Sequence, residues 1–134
     1  MNNVAGTAQL TLLCRPGEPV SGTLRISAPL AGRFRVAEFE GPGGIGERAR
    51  PLGFRLAGGT VRSFYSSGSF QQGGTFEWAF TPLKAEVRRW LKAPGKGIEA
   101  SVVNPAASTS SLMVGFRLPA DNAALREVVT PCLR

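Results

Sequence analysis

Apolar residues fall on every second position in one short run after another, and glycine or proline closes most of the runs. In the stretch 110–118 the alternating residues are Leu112, Val114, Phe116 and Leu118, and Pro119 ends it. A period of two sends successive side chains to opposite faces of an extended backbone, so such a run reads as a β-strand with one buried face. The pattern recurs with Leu10, Leu12 and Cys14 in 8–14, Leu24, Ile26 and Ala28 in 23–28, and Phe34 and Val36 in 33–39. It returns with Leu52, Phe54 and Leu56 in 51–57, Phe76, Trp78 and Phe80 in 75–80, and Ile98, Ala100 and Val102 in 98–103. The aromatic side chains of 75–80 read as core rather than as a stacking surface. Short alternating segments bounded by turn residues predict a mainly β fold, an antiparallel β-sandwich or barrel-like sheet of about seven to eight strands.

Between the strands, composition marks the turns. Pro29 and Gly32 close the second strand, and 41–46, Gly-Pro-Gly-Gly-Ile-Gly, reads as a mobile hairpin loop. Gly58-Gly59 supplies positive backbone angles for a hairpin joining 51–57 to 59–66, in which Val61, Phe64 and Tyr65 belong to the second arm. The polar, glycine-rich 66–74 and the stretch 104–108 read as loops.

The period changes at Thr81. Thr81 suits a helix N-cap and Pro82 the first helical position, where the missing amide hydrogen costs nothing. A helix is predicted over 82–92, with Leu83, Val87, Trp90 and Leu91 on its buried face and Lys84, Arg88 and Lys92 on another. A second, short helix is predicted over about 122–130, capped by Asp121 and burying Leu125, Val128 and Val129.

At 134 residues the chain fits one domain, 1–134. Hydrophobic residues make up 43% and charged residues 19%, which excludes a disordered chain. No apolar run approaches the ~18 residues of a membrane span. The first residues, Met1-Asn2-Asn3-Val4, hold no basic segment followed by an apolar run, so no signal peptide is read here. That leaves a mature exported domain whose leader has been removed, or a cytoplasmic protein.

Cys14 and Cys132 are the two cysteines and lie near opposite ends of the chain. With no histidine and no close cysteine pair they make a poor metal site. A disulfide joining them would close a long loop and stabilise by about 4 to 5 kcal/mol in the chain-entropy model; two unpaired buried thiols are the alternative. The disulfide is expected, and it favours an oxidising, periplasmic or secreted setting.

Catalytic constellations are thin. Without histidine neither a Ser-His-Asp nor a Cys-His arrangement can form, and the commonest general base near neutral pH is missing. Glu38 and Glu40, beside Arg33 and Arg35, read as members of cross-strand ion pairs rather than as a carboxylate dyad. The glycine-rich 41–46 lacks the following helix and Lys-Ser/Thr of a phosphate loop. The expectation is a non-enzymatic protein with no catalytic residues, no metal and no cofactor.

Sixteen Lys+Arg against nine Asp+Glu give a net charge of +7, which suggests an anionic partner. Alternation places Arg33 and Arg35 on one face of a strand, and the hairpin after the glycine-rich loop adds Arg50, Arg55 and Arg62 to the middle of the chain. Guanidinium groups form a planar fork suited to carboxylate and phosphate, so these five arginines are the candidate partner surface, with Lys84, Arg88 and Lys92 as the alternative basic face. The partner expected is a protein with an acidic surface, or else an anionic polymer such as nucleic acid, lipopolysaccharide or a phage or host surface.

A helix ending in Arg88-Arg89-Trp90-Leu91, a strand to Val103, the strand Leu112-Met113-Val114-Gly115-Phe116-Arg117-Leu118, and Asp121 to Val129 before Cys132 together resemble the C-terminal half of small exported bacterial β-sandwich proteins. These are the type VI secretion-associated accessory family and the invasion-associated locus B family. Leu12-Leu13-Cys14-Arg15-Pro16-Gly17 is similar to their first cysteine-bearing strand. The resemblance covers about half the chain and rests on structural motifs. It implies an accessory or interaction module of a bacterial envelope or secretion apparatus, of which an immunity or inhibitor protein is one form.

Overall fold

The structure is a computed structural model and describes residues 1–104 and 111–134. The fold class matches the expectation: among the described residues, eight strands form two antiparallel four-stranded sheets. One sheet has the order β1-β2-β6-β5, from β1 (Ala8–Leu13), β2 (Ser21–Ile26), β6 (Phe76–Phe80) and β5 (Ser66–Phe70). The other has the order β4-β3-β7-β8, from β4 (Val61–Phe64), β3 (Leu52–Leu56), β7 (Gly97–Val103) and β8 (Ser111–Arg117). The alternation read from sequence sets their faces. Leu10, Leu24, Ile26, Phe76, Trp78 and Phe80 are buried on the first sheet, and Leu52, Phe54, Ile98, Ala100, Val102, Leu112, Val114 and Phe116 on the second. Phe54 and Phe80 meet across the interior with ring centroids 5.1 Å apart, a spacing at which aromatic pairs attract beyond their burial.

Helical segments close the flanks. In α3 (Lys84–Leu91) Val87, Trp90 and Leu91 are buried, with Trp90 5.5 Å from Phe54. The helix starts later than its sequence signals suggest. Leu83 occupies the cap position without a side-chain bond, and it stands 70% exposed instead of packing inward. The inward position on the first turn goes to Glu86, 6% exposed. In α4 (Ala123–Val129) the Asp121 carboxylate accepts the Ala123 amide at 3.0 Å, Val129 is fully buried, and Val128 points outward. A second cluster of Val20, Val87, Leu91, Val129, Cys132 and Leu133 lies beneath α3 and α4. There Cys14 and Cys132 are joined in a disulfide spanning 118 positions.

The segment between β2 and β3 departs from the sequence expectation. The stretch 33–39 is not a strand: α1 (Ala28–Arg33) precedes it, begun by the Ser27 hydroxyl accepting the Leu30 amide at 3.4 Å, and Val36–Phe39 forms a 3-10 turn. Two alternating apolar residues, Phe34 and Val36, were too few to distinguish an extended run from a turn. What decides is the aromatic demand of the core. Phe34 and Phe39 stack at 5.8 Å, and Phe39 meets Trp78 edge-on at the same distance.

Two loop expectations are corrected as well. The glycine-rich 41–46 is no free hairpin loop: Gly41 donates to the Gly68 carbonyl at 2.9 Å, Gly44 and Gly46 are buried, and α2 (Ile45–Arg48) follows. The stretch 66–74 holds strand β5, an edge strand that the 3-10 turn and α2 cover. Its glycine is a packing necessity, since a Cβ on Gly68 would meet the Phe39 carbonyl oxygen and the Phe76 ring, the latter at 2.7 Å. The β3–β4 hairpin is present, but the positive φ values fall on Ala57 and Gly58. The loop expected over 104–108 lies, from 105 onward, outside the described residues, as does position 110 at the start of the last strand.

Candidate functional site

The five arginines of the middle segment do not form one surface. Arg33 ends α1 and donates to the Pro29 carbonyl at 3.3 Å. Arg35 folds onto Glu38, three residues along the same turn, so the pair that alternation would have aligned is separated by the change from strand to helix and turn. That ion pair is also local, not cross-strand. Arg55 projects from the outer face of β3 onto Glu99 of β7 at 2.6 Å. Arg50 and Arg62 alone of the five line one hollow.

That hollow forms where the chain changes sheets. Tyr65 is the single residue between β4 and β5, and the turn it makes leaves its ring 55% exposed. Arg50, just before β3, stands over the ring with its guanidinium carbon 5.2 Å from the centroid. Such a cation–π pair at an exposed site contributes about 0.5 to 1 kcal/mol and fixes both side chains at the rim. Register pairs Arg62 with Phe54 and Phe64 with Leu52, so Arg62 sits on the inward side of edge strand β4 and reaches toward α3. Two adjoining hollows of about 540 and 430 Å³ result, sharing Arg50, Ser63, Phe64 and Leu83. Exposed Leu83, Tyr65 and Val61 line this groove beside Arg50, Arg62 and Arg89.

Glu86 organises the helical wall. One carboxylate oxygen accepts the Trp90 indole N–H at 3.1 Å; the other accepts from Arg89 at 3.0 Å and stands 4.0 Å from Arg62. A buried carboxylate needs such partners to offset its desolvation, and here they also hold two guanidinium groups at the groove edge. Arg50, by contrast, makes no ion pair among the described residues. The groove therefore offers three guanidinium groups, two of them tethered to Glu86 and the third, of Arg50, sharing its hollow with Glu47, and an apolar strip between them. It suits a carboxylate next to a hydrophobic side chain.

The alternative basic face is engaged differently. Lys84 donates to the Arg134 backbone oxygen at 2.8 Å and Arg88 to the Leu133 carbonyl, so both fasten the C-terminal turn to α3, while Lys92 stays exposed. Among the described residues no group of three or more Cys, His, Asp or Glu is placed to hold a metal ion, and no helix is long and apolar enough to cross a membrane.

Sequence reading missed Leu83 and Tyr65, which it assigned to packed elements, and missed Glu86 altogether, while Arg89 was read as a neighbour of the basic helix face and not as a groove residue. The spacing Glu86, Arg89, Trp90 at i, i+3 and i+4 was a legible signal, because those positions are neighbours on a helix. No family model matches the chain, and neither a curated protein nor a solved structure matches it.

Proposed function

We propose that the protein is a non-enzymatic interaction module, exported to the periplasm or secreted, that serves a bacterial envelope or secretion apparatus by gripping a partner protein in this groove. The observation that supports the reading is the exposure of Leu83 and Tyr65, at 70% and 55%, beside Arg50, Arg62 and Arg89. Tyrosine beside arginine is the composition of protein-binding hot spots, and Leu83 adds apolar area next to it. The Cys14–Cys132 disulfide is compatible with an oxidising compartment. An immunity or inhibitor role falls within the same reading, since blocking an enzyme requires only such a surface.

The charge distribution favours this over a general binder of anionic polymers. Arg25, Arg55 and Arg89 each have a carboxylate oxygen within 3.0 Å, and Arg35 likewise pairs with Glu38. These local pairs interrupt the basic surface, so it lacks the continuous cationic track that a phosphate backbone needs.

The test is affinity capture from bacterial envelope extracts with three forms of the protein. A partner should be held by the wild type and by Arg33→Glu with Arg35→Glu, and lost with Leu83→Ser and Tyr65→Ser, with all three melting alike. Loss in the Arg33/Arg35 variant with retention in the Leu83/Tyr65 variant would overturn the assignment of the groove. Capture should change little with ionic strength if packing dominates.

A further inference from the structure

Independently of the groove, and sharing none of its lining residues, a cup of about 320 Å³ lies on the other side of α3 where that helix ends. Arg88 and Lys92 enter it from the last turn of α3, Arg126 from α4, and Arg134 from beyond the final turn; Leu91 and Leu133 form its floor. Among the described residues no Asp or Glu side chain lines it. We propose that this cup binds the phosphate group of a phosphate monoester.

The argument begins with how the cations are held. Elsewhere on the surface Arg25, Arg35, Arg55 and Arg89 rest against carboxylates, whereas Arg33 and Arg117 each donate to a single backbone carbonyl. Here Arg126 donates to the Leu91 carbonyl at 3.3 Å and Arg88 to the Leu133 carbonyl. Neutral carbonyls orient a guanidinium without cancelling its charge, and each guanidinium has five N–H donors, so most remain for a ligand. The Asn122 side-chain amide also donates to the Leu91 carbonyl, fastening α4 to the end of α3, and the disulfide anchors the turn beneath. Arg88 and Arg126 are therefore preorganised by backbone contacts.

The helix ends account for only part of this charge. Cations gather naturally at helix C-termini, where the carbonyl dipoles amount to about half a negative charge per helix. Two helix ends offset roughly one unit, against the four cations of the cup. Lys84, outside the cup, takes up the Arg134 backbone oxygen. The remaining excess of positive charge is self-repelling until an anion enters.

Ligand class follows from charge and shape. A phosphate monoester carries about −1.5 to −2 at neutral pH and three acceptor oxygens, more than a carboxylate offers, and its geometry matches the guanidinium fork. The apolar floor and the space around the charges leave room for the organic part of the ester. The ester can come from a soluble metabolite or from a lipid headgroup, and the experiment separates the two.

Amide NMR titrations with inorganic phosphate, glycerol 3-phosphate and acetate, together with co-sedimentation on phosphatidylcholine vesicles with and without phosphatidic acid, test the proposal. Glycerol 3-phosphate should shift the Lys92 and Arg126 amides saturably, and acetate should bind far more weakly. Arg88→Gln with Arg126→Gln should weaken binding about tenfold or more, the scale of one or two charge-assisted hydrogen bonds. Arg33→Gln with Arg35→Gln, an equal loss of charge elsewhere, should leave it within about twofold, since exposed distant charges are screened. Lys92→Gln with Arg134→Gln guards against a folding defect, because neither side chain makes a hydrogen bond or ion pair among the described residues: it should weaken binding while leaving the melting temperature unchanged. Binding of glycerol 3-phosphate without vesicle binding assigns a soluble ester; vesicle binding that needs phosphatidic acid and Arg88 assigns a headgroup. Absence of both, equal binding of acetate, or equal weakening by the Arg33/Arg35 variant overturns the proposal.

Discussion

The carboxylate of Glu86 accepts the indole N–H of Trp90 at 3.1 Å, one helical turn along α3, with both residues buried against the sheets. A polar group on the packed face of a helix is tolerable only while it is bonded. Glu86→Ala strands the indole N–H and opens space beside Trp90, so it should destabilise by about 2 kcal/mol. Glu86→Gln keeps an acceptor for Trp90 and should cost about half as much, because Arg62 and Arg89, left without their carboxylate, are 54% and 41% exposed and turn to water. Urea unfolding of the two variants checks the order; equal losses would show that the indole bond is not what fixes Glu86.

The disulfide makes the next prediction. Cys14 follows the first strand and Cys132 sits in the last turn, 118 positions further along the chain. Cross-linking so long a loop removes unfolded-state entropy worth about 4 to 5 kcal/mol. Cys14→Ser should lower the melting temperature by roughly 10 to 20 °C for a domain of this size. The same shift should appear when the wild type is reduced. Denatured, oxidised protein should show no free thiol.

What the sequence disclosed follows from how many residues share a pattern. In β6 and β8 three buried apolar residues alternate with more exposed ones, and both strands and their faces were legible. At 33–39 only Phe34 and Val36 alternate, too short a run to outweigh the helix started by Ser27, and the arginine surface read from that run was lost with it. Strand β5 was hidden because Gly68 and its serines serve close approach by neighbouring chain rather than burial of apolar area. The groove was invisible for a related reason. Exposure of Leu83 and Tyr65 is set by where the helix starts and where the chain changes sheets, both tertiary facts that periodicity does not carry.

Ala57 offers a substitution of opposite sign. It holds φ = 51° in the β3–β4 turn, a left-handed conformation in which a Cβ costs about 1 kcal/mol or more. Ala57→Gly removes that strain at the expense of a more flexible unfolded chain. The net should be a gain of about 0.5 kcal/mol, read as a higher denaturation midpoint at unchanged slope. A loss of stability would mean that the alanine methyl makes a contact outweighing the strain.

The last prediction concerns the cover over strand β5. Glu40 and Gly68 pair in a parallel bridge, and Gly41 donates to the Gly68 carbonyl at 2.9 Å, so the backbone after the 3-10 turn seals one edge of the β1-β2-β6-β5 sheet. That seal requires the absence of a side chain, because a Cβ on Gly68 would meet the Phe39 carbonyl and come within 2.7 Å of the Phe76 ring. Phe76 is fully buried and Phe39 nearly so, and their contacts with Trp78 at 4.9 and 5.8 Å leave neither ring free to retreat. In Gly68→Ala the cover must lift, at an overpacking cost of about 1 to 3 kcal/mol. Hydrogen exchange at the Gly41 amide should then accelerate before global unfolding does. The uncovered edge is a template for pairing with other chains, so the variant should also aggregate at protein concentrations that the wild type tolerates. A Gly68→Ala protein with wild-type melting and an equally protected Gly41 amide would show that the cover yields without strain, and the edge would then be guarded by something other than close packing.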